Sequence, residues 1–154
     1  MPGAAALPCT RYGESKGSIM GAWGPGPFDN DTACDWGYEL DDAVRADRVA
    51  VLRSALIAAA DQSGHLGHTE AAEAVGAAAI VAAFQPGGPP LDPIYSPDCL
   101  RADGLDVPPE LVDLAARALD RVMGGDSEWR ELWAEAGRLD DVTAVLAPIR
   151  ASLT

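Results

Sequence analysis

Apolar residues recur at three- and four-residue spacing through most of the chain, the periodicity of amphipathic helices rather than strands. Ala33, Trp36, Gly37, Leu40 and Val44 mark one face of a first helix, with Asp29 or Asn30 as its cap and Asp31 in its first turn. Asp41 and Asp42 signal a break. A second helix is predicted from about Ala46 to Ala60, with Val49, Leu52, Leu56 and Ala59 inward and Gln62, Ser63 and Gly64 ending it. The third begins near Thr69 and stops before Pro86. Its face of Val75, Ala79, Ala82 and Ala83, with Gly76, lets neighbouring backbones come close, which predicts a central position. Pro108 and Pro109 open a fourth helix, with Leu111, Leu114, Ala118, Leu119 and Val122 inward and Gly124 as its stop. Asp126 is read as the cap of a short fifth helix bearing Trp129, Leu132, Trp133 and Ala136. A sixth carries Leu139, Val142, Leu146, Ile149 and Leu153, with Pro148 expected to bend it.

Two stretches lack this periodicity. Residues 1–19 are expected to be a disordered N-terminal extension ahead of Met20, a second methionine from which the helical domain, residues 20–154, would start. Residues 85–107 hold Pro86, Pro89, Pro90, Pro93 and Pro97 and are read as a long Pro-rich loop without regular structure. Leu91, Ile94, Tyr95, Leu100 and Leu105 would anchor it across the helices.

The run MGAWGPGPFDNDTACDW, Met20 to Trp36, is too particular in its order to follow from composition. Gly24, Pro25, Gly26 and Pro27 permit two tight reversals, so that Trp23 and Phe28 can turn inward together, Phe28 packing on the first helical turn as a hydrophobic staple. This run resembles the opening signature of the bacterial family known as "domain of unknown function 4259", and Ser127-Glu-Trp-Arg-Glu-Leu-Trp133-Ala-Glu resembles its second characteristic segment. The resemblance spans roughly Met20 to the C-terminus; where members often carry a further aromatic after the second segment, this chain has Leu139-Asp-Asp-Val. It implies no activity, substrate or catalytic residue.

Composition sharpens the fold class. Of 154 residues, 48% are hydrophobic but only 6% aromatic, and the excess is alanine, which favours close-packed helices. The expectation is all-α: a single compact domain of about six helices. The formal net charge of −13 opposes binding to nucleic-acid phosphates or an anionic membrane; it reads first as a solvated acidic surface, and a basic protein is the partner it would attract. Cys9, Cys34 and Cys99 form no paired pattern and read as free thiols in a cytoplasmic protein; no stretch is apolar enough to span a membrane.

Candidate chemistry is sparse. Asp29, Asp31 and Asp35, with Glu39, crowd the start of the first helix, but Ala33 stands where a calcium loop needs an oxygen ligand, and helix capping accounts for the first two. His65 and His68 have a spacing zinc can use, without a third ligand or the HExxH pattern. No GxSxG nucleophile or P-loop lysine occurs, and no cofactor is expected. The sequence therefore favours a non-catalytic, macromolecule-binding protein, its acidic surface facing a basic partner as in an immunity protein or antitoxin. Asp29, Asp31, Asp35, Trp23 and Phe28 are the candidate binding residues. The alternative is a carboxylate-based or metal-dependent enzyme using the same acidic cluster.

Overall fold

The computed structural model describes residues 22–154; the extension expected over residues 1–19 lies outside them. The described residues form α1 (Asp31–Asp42), a 3-10 turn (Arg45–Asp47), α2 (Arg48–Ala60), α3 (His68–Ala83), α4 (Asp98–Asp103), α5 (Pro109–Val122), α6 (Glu128–Glu135) and α7 (Leu139–Ala151), and no strand. They make one compact all-α domain with α3 as its axis. Every residue of α3 from Ala74 to Ala82 is buried, and the helix packs against α1, α2, α5, α6 and α7. Only small side chains let so many neighbours reach one helix, which is why its surface is alanine, glycine and valine almost all round. α2 and α5 pack on α3 and on each other, α5 contributing Leu111, Leu114, Ala118, Leu119 and Val122.

Among the described residues seven helices stand where about six are expected, and the additional one, α4, lies inside the Pro-rich connection. α4 forms because two distant residues serve its ends. The Asp41 carboxylate accepts from the Asp98 and Cys99 amides at 3.1 and 2.7 Å, satisfying donors that a short helix leaves open. Arg48 donates to the Ala43 carbonyl at 3.2 Å and to Asp103 at 2.7 Å, tying the end of α1 to the end of α4. The first helix correspondingly stops at Asp42, and Val44, expected on its inner face, is 64% exposed. α2 starts at Arg48, not Ala46, after the 3-10 turn. Leu91, Tyr95, Leu100 and Leu105 pack on the core, whereas Ile94 is exposed.

Ser127, not Asp126, caps α6, its hydroxyl accepting from the Arg130 amide at 3.3 Å. Asp126 instead offers its carbonyl to the Leu66 amide at 3.0 Å while the Glu128 amide donates to the Leu66 carbonyl at 2.9 Å, an isolated parallel bridge between two loops. Arg121 holds the same junction by donating to the carbonyls of Gln62, Gly64 and Asp126. Ala136 is exposed, and Gly137, at φ 74°, ends α6 with the Arg138 amide bonded back to the Trp133 carbonyl at 3.0 Å, a glycine C-cap. α7 continues through Pro148 to Ala151.

The N-terminal turn meets this bundle through Phe28, which is 2% exposed. A methyl group at Gly76 of α3 would lie 3.3 Å from the ring carbons Cε1 and Cζ of Phe28 and 3.7 Å from Cε3 of Trp36. The missing side chain is thus the hollow that seats both rings. Trp23 does not follow Phe28 inward. It is half-buried, 5.3 Å from the Tyr95 ring, where it ties the turn to the Pro-rich connection. Phe28→Ala should therefore cost about 3–5 kcal/mol, transfer energy plus a cavity. Trp23→Ala should cost clearly less. Urea unfolding of the two variants checks the order, and a larger loss for Trp23→Ala would refute it.

Candidate functional site

The loop from Ala22 to Asn30 is closed by its own backbone. Trp23 N–H donates to the Asp29 carbonyl at 2.8 Å, Asp29 N–H to the Gly26 carbonyl at 3.1 Å, and Ala22 bridges to Asn30 in antiparallel sense. Asp29 folds back so that its Oδ2 accepts from Gly26 N–H at 2.9 Å. A methyl at Gly24 or at Gly26 would stand 2.6 Å from that oxygen, so both glycines make room for the carboxylate as much as for the turn. Asn30 is the cap of α1, its Oδ1 accepting from Ala33 N–H at 2.8 Å.

This geometry separates the acidic residues that the sequence sets side by side. Asp29 faces a cleft of about 250 Å³ between the turn and the Pro-rich connection, lined also by Pro27, Phe28, Ala79, Leu91, Asp92 and Ile149. Burial raises the Asp29 carboxyl above its ordinary pKa; the Gly26 amide opposes this and the charge of Asp92 adds to it. Asp31 and Asp35 lie on α1. The Asp31 carboxyl is also raised, by burial and then by Asp35, and its Oδ1 is buried with no hydrogen bond. Glu73 of α3 is raised by burial and then by the charges of Glu39 of α1 and Glu70 of α3. Asp92, absent from the candidates read in sequence, is fixed by amides: its Oδ1 accepts from Ile94 and Tyr95 N–H at 2.7 and 3.0 Å. The Asp-Pro step at 92–93 was the available signal, since it favours turn initiation.

The two histidines part. His65 is exposed and pairs with Glu131 at 3.1 Å. His68 opens α3, is 7% exposed, and lines a small void with Asn30, Trp129 and Trp133; its amide donates to Glu128 Oε1 at 2.8 Å. Among the described residues no three His, Cys, Asp or Glu side chains are grouped to hold a metal ion. Of the cysteines, Cys9 lies outside those residues. Cys34 is buried, with its thiol on the Phe28 carbonyl at 3.4 Å, and burial together with Asp41 pushes the Cys99 thiol up to about 12, so it stays protonated and unreactive at neutral pH.

Fold and site define a compact all-α domain with a structured Gly-Pro turn at its N-terminal side, the carboxylates of that turn and of α1 divided between a cleft and a helix face. The chain belongs to the family described as Domain of unknown function (DUF4259), whose model matches residues 21–144. No curated protein and no solved structure matches it. Among the described residues no helix is long and apolar enough to cross a membrane.

Burial lowers the His68 pKa, against the attraction of Glu128. Because the folded value lies below the unfolded one, the neutral ring's contribution to stability is complete above about pH 6.5 and is lost as pH falls through the folded value. Asp29, Asp31 and Glu73 act oppositely, their contribution being present below the ordinary carboxylate range and lost as pH rises through their raised values. The unfolding free energy of the native protein minus that of His68→Gln should fall between about pH 7 and about pH 5. A difference that stays flat would place the ring in an environment no drier than the unfolded chain.

Proposed function

We propose that this domain is a non-catalytic binding protein whose α1–α3 face receives a basic protein. One observation carries the reading: Asp31, Asp35, Glu39, Glu70 and Glu73 are gathered on two helices that contain no arginine or lysine, and none of the five is in an ion pair among the described residues. The ion pairs on α2, α4, α5, α6 and α7, such as Arg53–Glu110 and Arg150–Asp120, lie elsewhere. Like charges held together cost stability, and a face that keeps them without local cations is complementary to a partner that brings them. The exposed Tyr38 stands on the same helix, with an aromatic surface suited to an interface.

Neutralising Asp31, Asp35, Glu39 and Glu73 together, as Asn or Gln, should raise thermal stability at low salt. It should also weaken binding of an oligoarginine peptide by about tenfold. Neutralising Asp106, Asp113, Glu135 and Asp140 removes the same charge from elsewhere and should weaken it no more than about twofold. Equal losses for the two sets, measured by calorimetry at fixed salt, would reduce the α1–α3 face to part of a uniform acidic surface.

A further inference from the structure

We infer that the cleft between the Gly26–Asp29 turn and the Pro89–Asp92 segment receives a single arginine side chain of the basic partner, an inference that rests on the docking reading above. The cleft is smaller than the roughly 300–1,000 Å³ of small-molecule pockets, at about 250 Å³, which suits one long side chain. Its walls are Pro27, Phe28, Ala79, Leu91 and Ile149, an apolar channel for an aliphatic stem. At its polar side stand Asp29 and Asp92, and the charge of Asp92 adds to the burial that raises the Asp29 carboxyl.

What makes the pair a receptor is how each carboxylate is held. Asp29 is pinned through Oδ2 to the Gly26 amide, and Asp92 through Oδ1 to the Ile94 and Tyr95 amides. Among the described residues, Asp29 Oδ1 and Asp92 Oδ2 accept no hydrogen bond, and neither residue is in an ion pair. Both residues line the same cleft, and each carboxylate keeps one oxygen that accepts no hydrogen bond among the described residues. A guanidinium, planar and with five donors, can serve both oxygens at once, whereas an ammonium brings a point charge and three donors. Preorganised acceptors lose little entropy when such a group arrives.

The test uses the full chain and N-acetyl-arginine amide as probe, followed by the backbone amide shifts of Gly26, Asp29, Ile94 and Tyr95 and by the carboxyl titration of Asp29. Saturating shifts at these amides are expected, with the Asp29 midpoint lowered when the probe is bound. N-acetyl-norleucine amide should give neither effect, the lysine analogue a weaker one, and Asp29→Asn or Asp92→Asn should each weaken the probe about tenfold. Shifts that follow sodium chloride equally, or an Asp29 midpoint unmoved by the probe, would overturn the inference; the midpoint is read on the native protein, so a poorly folded variant cannot mask the outcome. Tighter binding of free arginine than of the blocked form would overturn it too, by making the cleft a metabolite site. The four-carboxylate change on α1 and α3 leaves the cleft carboxylates in place. Loss of oligoarginine docking in that variant without any probe binding in the native cleft would sink this inference alone. Probe binding together with equal oligoarginine losses in both neutralised sets would sink only the docking face.

Discussion

The seat that Gly76 provides for Phe28 is the constraint on which the rest of the molecule depends. Glycine inside a helix is unfavourable relative to alanine by about 1 kcal/mol, and α3 otherwise uses alanine wherever it can. The Phe28 and Trp36 rings occupy the space a side chain would take, so the N-terminal turn and α1 meet the central helix at the same hollow. From there the order of causes is short. Seating Phe28 fixes the turn, the turn folds Asp29 back over Gly24 and Gly26, and Asn30 follows directly as the cap of α1.

That arrangement has an electrostatic consequence. The turn and α1 carry Asp29, Asp31, Asp35 and Glu39 and hold no arginine or lysine, and three of the nearby carboxyls, Asp29, Asp31 and Glu73, are held above their ordinary pKa by burial first, with like charge adding to it. A fold optimised for stability alone would place cations among them. The domain instead relies on its alanine-rich packing to tolerate the repulsion. The paired loops at Leu66 and Ser127 and the Asp41 cap of α4 contribute further, each satisfying backbone groups that would otherwise be open.

The helices were legible because their apolar faces repeat with helical period, and the central place of α3 was legible in its small residues. What escaped reading depends on partners far away in sequence. α4 exists through Asp41, some sixty positions earlier in the chain, and no local pattern announces that cap. Ser127 displaces Asp126 as the cap of α6 because the Asp126 carbonyl is engaged by Leu66. Trp23 and Phe28 look equivalent on either side of the Gly-Pro spacer, yet the hollow at Gly76 of α3 seats Phe28 while Trp23 packs against Tyr95. Asp29, Asp31 and Asp35 form one cluster in sequence, and the reversal of the chain at Gly26 divides them. Asp92 entered the site by packing, from a connection whose prolines conceal how closely it lies against the turn.

A double-mutant cycle on Phe28 and Gly76 bears on this account most directly. In the native protein Gly76→Ala should destabilise, because the new methyl meets the Phe28 ring at 3.3 Å. With Phe28→Ala already present the hollow is empty, and Gly76→Ala should then stabilise by about 1 kcal/mol, the helix-propensity gain that the ring otherwise forbids. If Gly76→Ala changes the unfolding free energy by the same amount in both backgrounds, Phe28 is not seated on α3 by the missing side chain, and the dependence of the turn on that contact is contradicted.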